Sequence, residues 1–541
     1  MRVLLIEPGY KNKYPPMSLM KISTYHKRKN DDVLFIKGNK VLSKKWDRIY
    51  ITTLFTFYYN DVLKTINHYK KYVNNLDDIF VGGIMATLLT DDLKKDTGLN
   101  NIIKGRLFSS NLLGFHDNEN IDIMPLDYDI LNDIEYIYPS GDNFFAYITR
   151  GCVNKCPFCA VPILEGNLSI TNNIKEQIQL SRKHFGDKRN LLLMDNNILG
   201  IPNFHLQKIV EDLNVLGFKT NKTYTYPSKF LLLYDTYNRY KNQKKNTTLI
   251  EKKLLSLYNE LLKKKISLKY KEKINILLND IGSSYQNEQE MILNNIEFFS
   301  SLEKKYSYKN KMQRYVDFNQ GLDARLLTEE KMKILSNLPI RPFRIAFDKI
   351  QYKEIYIQAI KLAIKYNIKE FSNYLLYNFN DHPIDLYKRL KINIELSEKY
   401  NVHIYSFPMK YEPIENKKRG YTDSNWNNHF LRSVKAILNV SKGVFSGNKS
   451  FFERAFGKNE EEFLEILSMP KTLLIYRLYY EKIGITDNWK KSFRSLSSTE
   501  KTELLNLVSN KKYISSSKNI NNILRYYNPK ILNKEKDINL I

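Results

Sequence analysis

Thr149-Arg-Gly-Cys-Val-Asn-Lys-Cys-Pro-Phe-Cys-Ala-Val-Pro162 contains every cysteine of the 541-residue chain: Cys152, Cys156 and Cys159. Three thiolates on one short loop suit a cubane 4Fe-4S cluster, in which three irons take a protein ligand and the fourth stays open to a substrate or cofactor. The odd count and the lack of secretory context speak against a disulfide framework. Structural zinc needs a fourth ligand, usually with paired C-x2-C knuckles, and the nearest histidine downstream, His184, offers no finger-like spacing.

The C-x3-C-x2-C spacing, with Phe158 just before the last cysteine, resembles the signature of the radical S-adenosylmethionine superfamily. Arg150-Gly151 before the motif and Pro162 and Gly166 after it look like the loop edges of such enzymes. The resemblance implies one 4Fe-4S cluster on Cys152, Cys156 and Cys159, with S-adenosyl-L-methionine chelating the fourth iron through its amino and carboxylate groups. It also implies reductive cleavage to a 5′-deoxyadenosyl radical that takes hydrogen from a substrate, with an external flavodoxin- or ferredoxin-type electron donor. Phe158 is assigned to cofactor binding on the same ground. The substrate is unknown, and no residue is assigned as catalytic.

At this length the chain has room for two to four domains, and 43% hydrophobic residues fit a soluble globular protein. The opening Met1–Gly9 is too short in apolar residues for a signal peptide, and no run is long enough to span a membrane. A reducing cytoplasm is the expected location. The net charge of +27 is unevenly placed: 19 Lys+Arg against 17 Asp+Glu in residues 1–140, 19 against 9 in 219–313, and 23 against 12 in 416–541. Basic blocks with interleaved tyrosines suit nucleic-acid backbones and bases, and a solvated lysine surface explains the same composition.

From the N-terminus the pattern alternates strand and helix: strands Val3–Ile6, Val33–Ile36, Ile49–Leu54 and Ile79–Gly82, helices Pro16–Lys27 and Asp61–Tyr72. This predicts a Rossmann-like parallel sheet over 1–135. Tyr14-Pro-Pro-Met-Ser-Leu and Pro125-Leu-Asp-Tyr-Asp129 resemble segments flanking the cobalamin-binding-type domain found before many radical S-adenosylmethionine cores. The Asp-x-His-x-x-Gly signature for cobalamin's lower axial histidine is missing, and His26, His68 and His116 have the wrong neighbours. The domain's fold is therefore expected without cobalamin.

A second domain, 143–415, reads as six strand-helix repeats, beginning at Phe144–Thr149, Leu191–Met194, Val316, Phe343–Phe347, Glu370–Tyr377 and Val402–Phe407. The resemblance makes these a partial (β/α)6 TIM-type barrel. By position on the inferred strands, Asp195, Asn196 and Asn197 are expected near the cofactor's amino group, with helix capping as the alternative for Asp195 and Asn197. Arg325 is expected at the cofactor's carboxylate, which its fork suits. Gln320 and Asp323 are expected at ribose or substrate, or else paired with each other or with Arg325. Asn378–Asp381 lies where relatives shape the adenine pocket, and Asp381 alternatively caps the helix at Pro383.

A Lys- and Tyr-rich helical insertion interrupts this domain at 222–313, with helices expected at Leu249–Lys265 and Asn287–Glu303, serving as a lid or docking arm or as ornament. Residues 416–541 read as basic and helical, loosely ordered beyond Ser515. With no other cysteine, a cysteine-ligated auxiliary cluster, paired-cysteine methylation and a cysteine hydrogen donor are all excluded. Two alternatives stand beside the radical enzyme of unknown substrate: a nucleic-acid-binding module with a structural metal, and an RNA-modifying radical enzyme.

Overall fold

The computed structural model describes the chain except residues 172–173, 282–284, 308–310, 442, 444–447 and 529–541. It divides into two units, the first comprising Met1–Gln320, Lys333–Ile340 and Ile414–Lys418, the second Gly321–Met332, Arg341–Pro413 and Arg419–Ile541.

In the first unit, strands Asp32–Lys37, Arg2–Glu7, Arg48–Thr53 and Ile79–Gly83 form, in that spatial order, a parallel four-stranded sheet. Its central strand shows why the run of apolar residues is unbroken. Val3 and Leu5 enter one core cluster while Leu4 and Ile6 enter another, because successive side chains leave a strand on opposite faces and both faces are covered. Helix Met17–Arg28 packs Leu19, Met20 and Tyr25 into the first cluster, and helix Tyr59–Tyr69 packs Val62 and Ile66 into the second. His26 is buried near the end of its helix, between Asp31 (2.7 Å) and the Tyr50 hydroxyl (2.9 Å).

The same unit holds a second parallel sheet, Val316–Phe318, Leu191–Leu193 and Phe144–Ala146 in that order. Phe145, Leu192 and Met194 join the cluster of Val3 and Leu5, so the two sheets share one core. Helix Ile174–Phe185 follows the cysteine loop as the periodicity predicts.

Among the described residues the insertion holds five helices: Lys229–Asn242, Thr248–Leu262, Leu268–Ile281, Tyr285–Asn294 and Ile296–Ser307. The stretch expected as one helix over 287–303 is two, with a turn at Asn295. Phe230, Leu254, Tyr258, Met291, Phe299 and Leu302 form its own core. It leaves and rejoins through an antiparallel ribbon, Thr223–Tyr224 against Met312–Gln313. Its first helix is fastened to residues 128–133. Arg239 grips the Asp129 carboxylate with two bonds of 2.7 and 2.9 Å, and the Tyr240 hydroxyl donates to the Asp133 carboxylate (2.6 Å) and the Asp129 carbonyl (2.9 Å).

Burial pushes the Asp133 carboxyl up to about 6, against the bonds from Tyr240 and the Phe35 N–H and the charges of Lys245 and Lys27. The folded chain thus keeps a proton that the unfolded chain releases, and this contribution is complete below the ordinary 3.8 and lost as pH rises through about 6. Thermal melts from pH 5 to 8 should fall more steeply for the wild type than for Asp133→Asn. Equal slopes would refute the assignment.

In the second unit, Phe343–Arg344, Glu370–Tyr377 and His403–Lys410 form a parallel three-stranded sheet. Helix Pro383–Tyr400 packs on it, capped by His382 and Asp385. Arg389 on that helix is fully buried and donates to the carbonyls of Phe347, Asp348 and Leu376 and to Asp381 (3.0 Å). Asp381 also accepts from the Trp426 indole and the Phe379 N–H, so its carboxylate anchors the strand ends instead of capping the helix. Helices continue to Lys518–Leu524, which lies beyond the point where order was expected to fade. Its Ile520, Ile523 and Leu524, at i, i+3 and i+4, are buried on one face. No helix among the described residues is long and apolar enough to cross a membrane.

Candidate active site

The cysteine loop is pinned at its base. Thr149–Arg150 pairs antiparallel with Ser169–Ile170, so residues 151–168 form a closed excursion from the end of strand Phe144–Ala146. Gly151 opens it at φ +77°, and a Cβ there would stand 2.2 Å from the Asn167 carbonyl oxygen, which no side chain tolerates. Gly151→Ala should therefore displace the loop and speed thiol modification of its cysteines severalfold, with global unfolding little changed; wild-type rates would contradict this.

The three cysteines are partly exposed and free of disulfides. The Cys152 sulfur accepts from the Asn154 N–H (3.3 Å) and from the Asn197 side-chain amide (3.5 Å). The Cys159 N–H donates to the Cys156 carbonyl (3.0 Å). Among the described residues no group of three or more His, Cys, Asp or Glu is arranged around a single ion. The thiolates of a cubane each hold a different iron, so they do not converge as the ligands of one zinc do.

Glu165 closes the loop. Its carboxylate accepts from Arg150 (2.8 Å), the Gly151 N–H (2.8 Å) and the Asn196 amide (2.9 Å). Arg150 lies on the Tyr147 ring, 3.4 Å from its centroid, and its other donors reach Asp122. Lys21 and Arg106 meet the same carboxylate, each at 3.1 Å. Burial alone would raise the Asp122 carboxyl, but the charges of Lys21 and Arg150 prevail and hold it well below the usual carboxylate range. Burial pulls the Lys21 ammonium down to about 8.

Of the residues expected at the cofactor, Asp195, Asn196 and Asn197 stand beside the cysteine loop. Asp195 Oδ1 accepts from the Ile148 N–H (3.0 Å), the Thr149 N–H and the Thr149 hydroxyl (2.7 Å), bracing the strand that enters the loop. Burial pushes its carboxyl up to about 6 despite those bonds. Neither Asp195 nor Asn197 caps helix Asn203–Val215, whose N-cap is Pro202. Phe158 is on the loop and Gln320 is exposed. In the second unit Asp323 and Arg325 pair with each other through two bonds of 2.8 and 2.7 Å, and Asp323 also caps the turn Ala324–Leu326.

Sequence reasoning missed Glu165 and Asn319. Glu165 is the sole acid between Asp142 and Glu176 and stands next to Gly166, a signal that was available. Asn319, buried after strand Val316–Phe318, accepts from the Tyr14 hydroxyl (2.8 Å); that pairing spans 305 residues and leaves no local trace.

No protein-family model and no curated protein matches this sequence. Among solved structures, the chain is similar to a radical S-adenosylmethionine methyltransferase, TsrM, from Kitasatospora setae with cobalamin and a 4Fe-4S cluster bound. That match has 10% identity over 77% of each chain and a TM-score of 0.43. It is also similar to the apo, selenomethionine-labelled form of OxsB, a cobalamin-dependent S-adenosylmethionine radical enzyme. Here identity is 13% over all of this chain and 74% of that one, with a TM-score of 0.39. The resemblance is to radical S-adenosylmethionine enzymes. Both structures are of cobalamin proteins, so the expectation that cobalamin is absent is withdrawn.

Proposed function

We propose that this chain is a radical S-adenosylmethionine enzyme with one 4Fe-4S cluster held by Cys152, Cys156 and Cys159. The observation that carries the reading is the confinement of all three cysteines to one loop closed at its base by paired strands. When bound, the cluster and S-adenosylmethionine supply a 5′-deoxyadenosyl radical that takes hydrogen from a substrate of unknown identity.

The residues beside the loop fit the cofactor's amino group. Asp195 Oδ2 and Asn197 Oδ1 are buried and have no hydrogen-bond partner, and buried acceptors left unpaired are costly. An ammonium donor would satisfy both. Asn196 would act through Glu165, and Phe158 would offer its ring to the cofactor.

Of the six strands expected as a barrel, three form a parallel sheet within the first unit and three form a parallel sheet within the second. For a corrinoid, the topological switch between Arg2–Glu7 and Arg48–Thr53 is the fitting crevice. Its rim carries the stacked pairs Tyr10–Tyr58 and Phe55–Phe57, and residues 8–12 and 54–58 include no histidine, so a corrin there would take no histidine ligand from this rim. A cytoplasmic setting and a flavodoxin- or ferredoxin-type donor complete the proposal. The exposed Lys241, Lys244, Lys263, Lys265, Lys269 and Lys271 of the insertion are the residues an RNA substrate would meet.

The test is anaerobic reconstitution with iron and sulfide, Mössbauer spectroscopy, and reduction in the presence of S-adenosylmethionine. A cubane spectrum and release of 5′-deoxyadenosine are expected. Colourless protein that retains zinc would refute the reading.

A further inference from the structure

We infer that Glu165 is a positioning residue that holds the cysteine loop in shape before any iron arrives. This rests on the cluster assignment but concerns the metal-free chain. Three donors from three places converge on its carboxylate: Arg150 before the loop, the Gly151 N–H at its entrance, and Asn196 after strand Leu191–Leu193. Gly151 holds its N–H toward Glu165 from the left-handed region, at φ +77°, where any side chain would meet the Asn167 carbonyl. Arg150 is held on its other faces by Asp122 and the Tyr147 ring. The loop therefore begins on a hydrogen-bonded frame, and Glu165 is the side chain that joins its entrance to the strand end beside it.

Asn196 extends the connection. It is the neighbour of Asn197, whose amide reaches the Cys152 sulfur, so one carboxylate sets both the first cysteine's backbone and the strand end that faces it. A carboxylate suits this job because one oxygen takes Arg150 while the other takes Gly151 and Asn196. A glutamine offers one acceptor oxygen and turns an NH2 group toward one of the donors. An aspartate is a methylene short.

The chain has no other cysteine, so a thiol reagent reports on this loop alone. In metal-free, unfolding-matched protein, Glu165→Ala and the isosteric Glu165→Gln should both speed thiol modification. They should also weaken iron retention after reconstitution by roughly 10–100-fold, the usual cost of losing a group that orients metal ligands. Asn196→Ala should give a smaller change in the same direction. Wild-type thiol rates and iron retention in Glu165→Gln would overturn the inference. If the wild type assembled no cubane, the cluster assignment would fail, while the thiol rates of the metal-free variants would still decide the role of Glu165.

Discussion

Cys156→Ala, reconstituted anaerobically, is expected to release no 5′-deoxyadenosine above a denatured control. On the proposed reading each thiolate would be the one cysteine ligand of its iron, because residues 1–151 and 160–541 contain no cysteine that could substitute. A cluster with two protein ligands would be labile, and the loss should show first as iron content and only then as activity. Cys152→Ala and Cys159→Ala should behave alike, and the triple variant should be no worse than any single one, since ligands that act as a unit are not additive. Cleavage at wild-type rate in any single variant would refute the assignment. The fold should persist in all of them, as the partly exposed thiols contribute little burial.

Asp122→Ala is expected to cost the most stability of any single change near the site, about 3–5 kcal/mol, the usual penalty for stripping one partner from a buried ion cluster. The reason is the company it keeps: Lys21, Arg106 and Arg150 all meet its carboxylate, and the side chains of Asp122, Lys21 and Arg150 are 5%, 8% and 10% exposed. Removing the anion leaves three cations gathered with only Glu165 opposite Arg150. Urea unfolding followed by circular dichroism would measure it, with Asp122→Asn as a control for shape. A loss under 1 kcal/mol would show that solvent relieves the cluster. Because the carboxyl is depressed, its stabilisation is present above the ordinary 3.8 and lost only as pH falls further toward the folded-state value.

Much of the fold was legible because the strands are short apolar runs between turns. Val3–Ile6 and Leu191–Met194 stand out for the same reason: both faces of each are covered, so no polar residue interrupts them. Helix Ile174–Phe185 was equally plain, with Ile174, Gln177, Ile178 and Ser181 on its buried stripe. Partnerships across long separations were not legible. Nothing near Arg239 in sequence points to Asp129, 110 residues away, and so the insertion's attachment could not be told from a free lid. Arg325 has a partner close in sequence. Its fork does grip a carboxylate, but the local one, because Asp323 two residues earlier also caps the turn that Arg325 begins to leave. At the candidate site, position along the strand was enough to set Asp195–Asn197 beside the cysteine loop, whereas the clamp on the loop was hidden because Gly151 and Asn196, both bonded to Glu165, lie far apart in sequence.

The ribbon of Thr223–Tyr224 against Met312–Gln313 makes the five-helix body a cassette. Its entry and exit are hydrogen-bonded neighbours, so the order and register of the sheet strands are indifferent to what is spliced between them, since closing a loop over already adjacent ends adds little entropy whatever its length. A module of another length can be spliced there without disturbing the strands, provided it rests on Asp129 and Asp133 as this one does.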